Sequence, residues 1–180
     1  MDIYEELSKS PPLIKKVCEG NIVEVRQILE AGIGKVSDRD CCNNSALHCA
    51  VGYRHFDIVE LLLELGADVN SIGMYGRTPI YNAIDDSDFE MVKLLVDKGA
   101  DLTVKGEKNR DVILYCTRYL RADRMKILKY VIDNIKLTDK YGILDLKESL
   151  FYYYKPEEEQ QQLQSMFKDV LIKFSKNNYC

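Results

Sequence analysis

Short apolar runs separated by clusters of turn residues recur along the chain at a regular interval. Leu13, Leu47 and Ile80 hold the same place in three successive stretches. Gly32, Gly66 and Gly99 close the runs that follow, and Leu61-Leu62-Leu63 is matched by Leu94-Leu95-Val96. Within each stretch the apolar residues fall at helical spacing. Leu13, Ile14 and Val17 are followed by Ile22, Val25, Ile28 and Leu29; Ala46, Leu47, Ala50 and Val51 by Phe56, Val59, Leu62 and Leu63; Ile80, Ala83 and Ile84 by Phe89, Val92, Leu95 and Val96. The spacing predicts pairs of short, unequal helices, broken at Gly20-Asn21, Tyr53-Arg54 and Asp86-Ser87 and stopped by glycine. A fixed period between about twenty and fifty residues marks a solenoid, in which each unit buries its apolar face only against its neighbours.

Between pairs lies an extended piece such as "GADVNSIGMYGRTP", residues 66–79. Asn70 and Gly73 suit a turn that needs positive φ or side-chain-to-backbone bonds, so a hairpin-like finger is expected here. Pro11-Pro12 opens the first unit, where a helix tolerates proline. The pattern divides the chain into a lead at 1–10, repeats at 11–39, 40–72, 73–103 and 104–135, and an altered fifth unit at 136–154. In the fourth repeat "MKILKYVIDN" arrives late, which extends the preceding "CTRYLRAD". A last helix and tail are expected at 156–180, with Leu163, Phe167, Val170, Leu171 and Phe174 on one face. Terminal units of a solenoid must hide its exposed core, so this helix reads as a cap.

Composition narrows the function. A hydrophobic content of 46% supports a packed core, and a formal charge of −4 gives no global basic signal for nucleic acid or an anionic membrane. No apolar run approaches the roughly eighteen residues needed to span a bilayer. The start, "MDIYEELSKSPPL", lacks the basic and apolar segments of a secretory signal. A cytoplasmic protein is therefore expected, with the nucleus also open to it. Its six cysteines (18, 41, 42, 49, 116 and 180) then read as free thiols rather than a disulfide framework.

"GRTPIYNAI" is similar to the G-x-T-P-L-H-x-A-A start of an ankyrin repeat, and "FDIVELLLELGADVN" to the family's I-V-x-L-L-L-x-x-G-A-D-V-N second helix and loop. The chain thus resembles the ankyrin-repeat family, most closely over 40–103 and more faintly over 11–39 and 104–135. The resemblance implies an all-α solenoid of helix–turn–helix units with fingers, acting as a monomeric, non-enzymatic protein-binding module without a cofactor. Its wealth of Tyr, Lys, Asn, Ile and Asp also resembles the ankyrin proteins of large DNA viruses, poxviruses above all. No F-box-like Leu-Pro-x-Glu/Asp start is legible in the C-terminal segment. This style implies a viral effector that binds a host immune or signalling protein, for host-range or NF-κB-type modulation. The alternatives are a cellular scaffold subunit and a ubiquitin-ligase adaptor that has lost its recruiting tail.

Candidate chemistry is sparse. His48, in "SALH", occupies the place of the family's T-P-L-H histidine, where hydroxyl and imidazole tie finger to helix. Cys41, Cys42, His48, Cys49 and His55 include zinc-ligand types, but the spacing is not that of a paired Cys-x-x-Cys knuckle, and no metal is expected. Of the aspartates Asp85, Asp86 and Asp88, the first two fall at the exposed end of a first helix with nothing in the sequence to bury them, which argues against an acid–base pair. No phosphate loop, nucleophile elbow or His-Glu-x-x-His helix is present. The basic stretch 105–129 reads as a solvated or partner-facing surface rather than a nucleic-acid site.

In the ankyrin family, partners meet the finger tips and the exposed ends of the first helices. Transferred residue by residue, this implies a contact strip of Tyr53, Met74, Tyr75, Arg77, Asp85 and Asp86, continued by Lys108, Arg110, Arg118 and Tyr119. Family members with Leu eight residues before the Asn of "DVN" resemble substrates of an asparaginyl hydroxylase. Leu62 and Asn70 fit that spacing, which makes Asn70 a hydroxylation candidate, although a turn Asn bonding its own loop also accounts for it.

Overall fold

The structure is a computed structural model describing residues 10–106, 110–117 and 122–135, together with the isolated helical positions 161, 165 and 168. The lead at 1–9, the altered unit at 136–154 and most of the expected cap lie outside the described residues. Two compact units are distinguished, residues 1–101 and 102–180.

The first unit contains three helix pairs: α1 (Pro12–Glu19) with α2 (Ile22–Glu30), α3 (Ala46–Gly52) with α4 (Phe56–Glu64), and α5 (Pro79–Asp85) with α6 (Phe89–Asp97). Proline at the start of α1 and α5 occupies positions whose N–H groups need no helical partner. Asn21 and Asp88 cap α2 and α6 by accepting from the N–H groups of Glu24 and Met91. At Gly20, φ is +74°, and a Cβ would sit 2.6 Å from the His55 ring, so this turn is confined to glycine on two counts.

First helices stack on first helices, α1 on α3 on α5, and α2 packs on α4. The core runs through the stack as Leu13, Val17, Leu47, Ile58, Leu62, Ile80, Ile84 and Leu95, all fully or almost fully buried. Each such side chain contributes about 1.5–3 kcal/mol by leaving water. Ala46, Ala50 and Ala83, also buried, leave room for the first helices to approach one another.

The fingers repeat one bond pattern. Asp40 N–H donates to the Asn44 carbonyl at 2.9 Å, and one repeat later Gly73 N–H donates to the Arg77 carbonyl at 2.8 Å. Gly73 itself is at φ −110°, not in the left-handed region; Tyr75 (φ 59°) and Gly76 (φ 70°) take the positive φ instead. Glycine is required at 73 by close approach, because a Cβ there would lie 2.7 Å from both Asn44 Oδ1 and His48 Nε2.

In the second unit α7 (Val112–Thr117) pairs with α8 (Ala122–Asn134) around Ile113, Cys116, Ile127, Leu128 and Val131. Asp111 starts α7 by accepting from Leu114 N–H at 2.7 Å. Gln161, Ser165 and Lys168 are helical and exposed.

Candidate protein-contact surface

The fingers are fixed to the helices and to one another by side chains. His48 is 1% exposed. Its Nδ1 accepts from the Ser45 N–H at 3.2 Å, so Nε2 carries the ring proton and donates to the Arg77 carbonyl of the next finger at 3.0 Å. Burial, first, pulls its pKa below the usual histidine value, and Arg39 adds to this; the Arg77 carbonyl and Asp40 oppose it. Asp40 folds the first tip, accepting from the N–H groups of Cys42 and Asn44 at 2.8 Å each. Asn44 Oδ1 in turn accepts from Met74 N–H on the next finger at 3.0 Å. The Arg39 guanidinium donates to the Asn43 and Ile72 carbonyls at 2.7 Å each and to the Ser71 hydroxyl at 3.2 Å, bracing the loop after α4.

This scaffold presents the tip of the second finger. Met74, Tyr75 and Gly76 form a single 3₁₀ turn, with Met74 37% and Tyr75 52% exposed. The Arg77 guanidinium lies 5.7 Å from the Tyr75 ring centroid and pairs with Asp85 at 3.3 Å. Asp85 ends α5 and Asp86 caps it; both are exposed, and desolvation, with Asp85 second, raises the Asp86 carboxyl above its usual range. One repeat earlier, Tyr53 caps α3, 49% exposed, with its ring stacked on His55 at 6.1 Å. Arg54 Nε lies 2.8 Å from Asp88 Oδ2, close enough for an ion pair but not aligned as a hydrogen bond.

Tyr75, Arg77 and Asp85 therefore touch in sequence, with Asp86 adjacent on the chain, and Tyr53 holds the corresponding helix end of the preceding repeat. Arg110 is half-exposed at the end of the third finger, where its carbonyl accepts from Gly106 N–H at 2.8 Å, and it belongs to the second unit. Lys108, Arg118 and Tyr119 lie outside the described residues. Within the basic stretch, Arg124 is buried while Lys126 and Lys129 are exposed, so the charges do not share one face.

The Asn70 side chain does not bond its own loop, where only its N–H donates to Asp68. Its Nδ2 donates to the Gly99 carbonyl at 3.2 Å and its Oδ1 accepts from Asp101 N–H at 2.7 Å, tying its loop to that of the next repeat. Sequence reasoning passed over Arg39 and Asp40. Gly73 and Gly106 stand in the place of Asp40 in the following fingers, so no recurrence marks it, and the Arg39 partners Ser71 and Ile72 lie more than thirty residues away, without a local signature. Among the described residues no group of three metal-ligand side chains converges, and no helix is long and apolar enough to cross a membrane.

Stacked helix pairs joined by cross-linked fingers define a helical-repeat scaffold of the protein-binding class. Family models for ankyrin repeats match residues 2–73, as three copies, and 75–104, as a further one. The chain belongs to the ankyrin-repeat family, and its repeats form a protein–protein interaction module of a generally non-catalytic kind. Among curated proteins it is 34% identical over 82 residues to an ankyrin repeat protein of fowlpox virus, which covers 46% of this chain and 10% of that protein. It is 42% identical over 67 residues to the 2-5A-dependent ribonuclease of Mus musculus, covering 37% and 9%. Against the NAD-dependent deacetylase sir2B of Dictyostelium discoideum it is 32% identical over 74 residues, covering 40% and 10%. The chain spans about a tenth of the length of these relatives.

Proposed function

We propose that this protein is a viral effector that captures a host immune or signalling protein through the edge formed by Tyr53, Met74, Tyr75, Arg77, Asp85 and Asp86. The observation that carries this reading is the solvent-facing Tyr75–Arg77–Asp85 array on a rigidly braced finger. Tyr and Arg dominate the energetics of many interfaces, and a surface held in place loses little entropy on docking. Lys108, Arg110, Arg118 and Tyr119 are assigned to the partner surface by their repeat positions alone. The similarity to a fowlpox virus ankyrin protein supports the viral part of the reading. The work takes place in the host cytoplasm.

A cellular adaptor is the second reading, favoured by the mouse and Dictyostelium relatives. The coding region's presence in a viral genome and its early expression in infection separate the two.

The test is affinity capture from host cells with the intact chain and with the Tyr75→Ala/Arg77→Ala variant, followed by titration of the captured partner. The double variant is expected to keep its melting temperature within about two degrees, since exposed sites contribute little to folding. It is expected to bind about thirty-fold more weakly, equivalent to about 2 kcal/mol. Unchanged affinity with an intact fold refutes the assignment of this edge.

A further inference from the structure

Two cysteines lie on neighbouring helices across the first repeat junction. Cys18 lies on α1 and Cys49 on α3, helices that pack together. The next junction reports the same register. Gly52 stands in the place of Cys18 and Asn82 in that of Cys49, and a Cβ on Gly52 would lie 3.4 Å from Asn82 Nδ2. The repeat register thus sets the equivalent positions Cys18 and Cys49 within side-chain reach of each other. Both cysteines are half-exposed, so small oxidants reach them.

Their surroundings differ. Hydrogen bonding from the Cys49 thiol, chiefly, and from the Tyr53 hydroxyl draws the Cys18 pKa below the usual thiol value, against burial and the charges of Asp40 and Glu19. The same interaction, with burial, pushes Cys49 upward, and its Sγ rests 4.0 Å from Asp40 Oδ2. A thiolate-forming sulfur beside a neutral thiol is the arrangement of an attacking and a resolving cysteine.

We propose that Cys18 and Cys49 form a reversible disulfide that staples the first repeat to the second, generated by a hydroperoxide and undone by a dithiol. The Cys18 thiolate attacks the terminal oxygen of the hydroperoxide. The O–O bond breaks, and the leaving alkoxide or hydroxide takes up a proton, giving Cys18 sulfenic acid. Cys49, losing its proton, attacks the Cys18 sulfur and expels the hydroxyl as water. Two thiols and one hydroperoxide become one disulfide, one alcohol (or water) and one water. The two sulfurs supply the two electrons. Joined, they fix α1 against α3 at the junction beside Tyr53.

A second thiol pair competes. Cys41 Sγ and Cys42 Sγ lie 3.9 Å apart at the finger tip. Adjacent residues close a ring through their own peptide bond only with strain, and Asp40 already holds this turn through Cys42 N–H.

The experiment treats the full chain with a slight excess of hydrogen peroxide, blocks remaining thiols, and digests with trypsin without reduction. Cleavage after Lys16, Arg26, Arg39 and Arg54 places Cys18 in peptide 17–26 and Cys41, Cys42 and Cys49 in peptide 40–54. The expected product is the two peptides cross-linked, with fragment ions assigning the bond to Cys49. The cross-link persists in Cys41→Ser/Cys42→Ser, disappears in Cys18→Ser and in Cys49→Ser, and is reversed by dithiothreitol. The oxidised wild type melts about 4 °C or more higher, because the bond restricts the unfolded chain. Peptide 40–54 losing two hydrogens without cross-linking assigns the chemistry to that peptide's own cysteines and overturns the proposal. So does a cross-link that survives Cys49→Ser, or the absence of any disulfide.

Discussion

Replacing His48 by Ala tests how the repeats are joined. The imidazole is buried and serves both sides of a junction: Nδ1 accepts from Ser45 and Nε2 donates to the Arg77 carbonyl. Removing it orphans the Ser45 N–H, takes from the Arg77 carbonyl one of its two donors (Gly73 N–H remains) and leaves a cavity; a buried orphan alone costs about 1–3 kcal/mol. A loss of about 3 kcal/mol at pH 7.5 is expected, a large share of the roughly 5–15 kcal/mol that holds a domain folded. The pH dependence isolates the mechanism. Burial, first, and Arg39 lower the folded pKa of His48, and the Arg77 carbonyl and Asp40 only partly offset them. In the unfolded chain the group titrates near its ordinary value of about 6.5. Between the two values the unfolded state binds the additional proton, so the stability His48 contributes is complete above about pH 6.5 and falls as the pH drops towards the folded pKa. From pH 7.5 to 5.5 this amounts to at most about 1.4 kcal/mol. Urea titrations of wild type and His48→Ala at both pH values measure it, with His48→Asn as a milder variant. The wild type is expected to lose more stability on acidification than either variant. Equal losses would show that His48 binds its proton as readily in the fold as in the unfolded chain, which refutes the lowered pKa.

Three other substitutions probe the same framework. Gly73→Ala should lower stability by about 2 kcal/mol or more, read by thermal melting, because its Cβ would meet His48 Nε2 and Asn44 Oδ1 at 2.7 Å; an unchanged melt contradicts the close approach. Ser45→Ala removes a helix cap bonded to His48 and should cost about 1–2 kcal/mol. Thr78→Val, at the equivalent position, should be neutral or stabilising, since the buried Thr78 hydroxyl has no hydrogen-bond partner; similar losses for the two in urea unfolding count against this contrast. Co-expression with an asparaginyl hydroxylase is expected to add one oxygen to Asn70, seen by mass spectrometry, and a peptide of unaltered mass refutes it.

Helix type, order and repeat were legible because they depend on local pattern. Leu47 and Ile80 sit one period apart, each opening a helical run whose inward side can be covered only by its neighbours. The same locality made His48 readable, since Ser45 lies within one turn of it. The contact strip was legible only as positions. That Tyr75 lies against Arg77, and Arg77 against Asp85, depends on the finger folding back towards the end of α5.

Gly73 and Asn70 mark the boundary between what sequence and tertiary structure decide. The sequence identified both as turn residues, because backbone preference is a property of the residue and its immediate neighbours. It assigned Gly73 to positive φ and allowed Asn70 to bond only its own loop. In the fold, Gly73 is needed because His48 and Asn44 from the preceding repeat press against it, and Asn70 reaches Gly99 and Asp101 of the next. The repeating pattern of apolar and turn residues by itself determined that helix pairs form and stack. Which side chains meet across each junction was decided only by stacking, because those contacts join residues some thirty positions apart and depend on how closely neighbouring backbones approach.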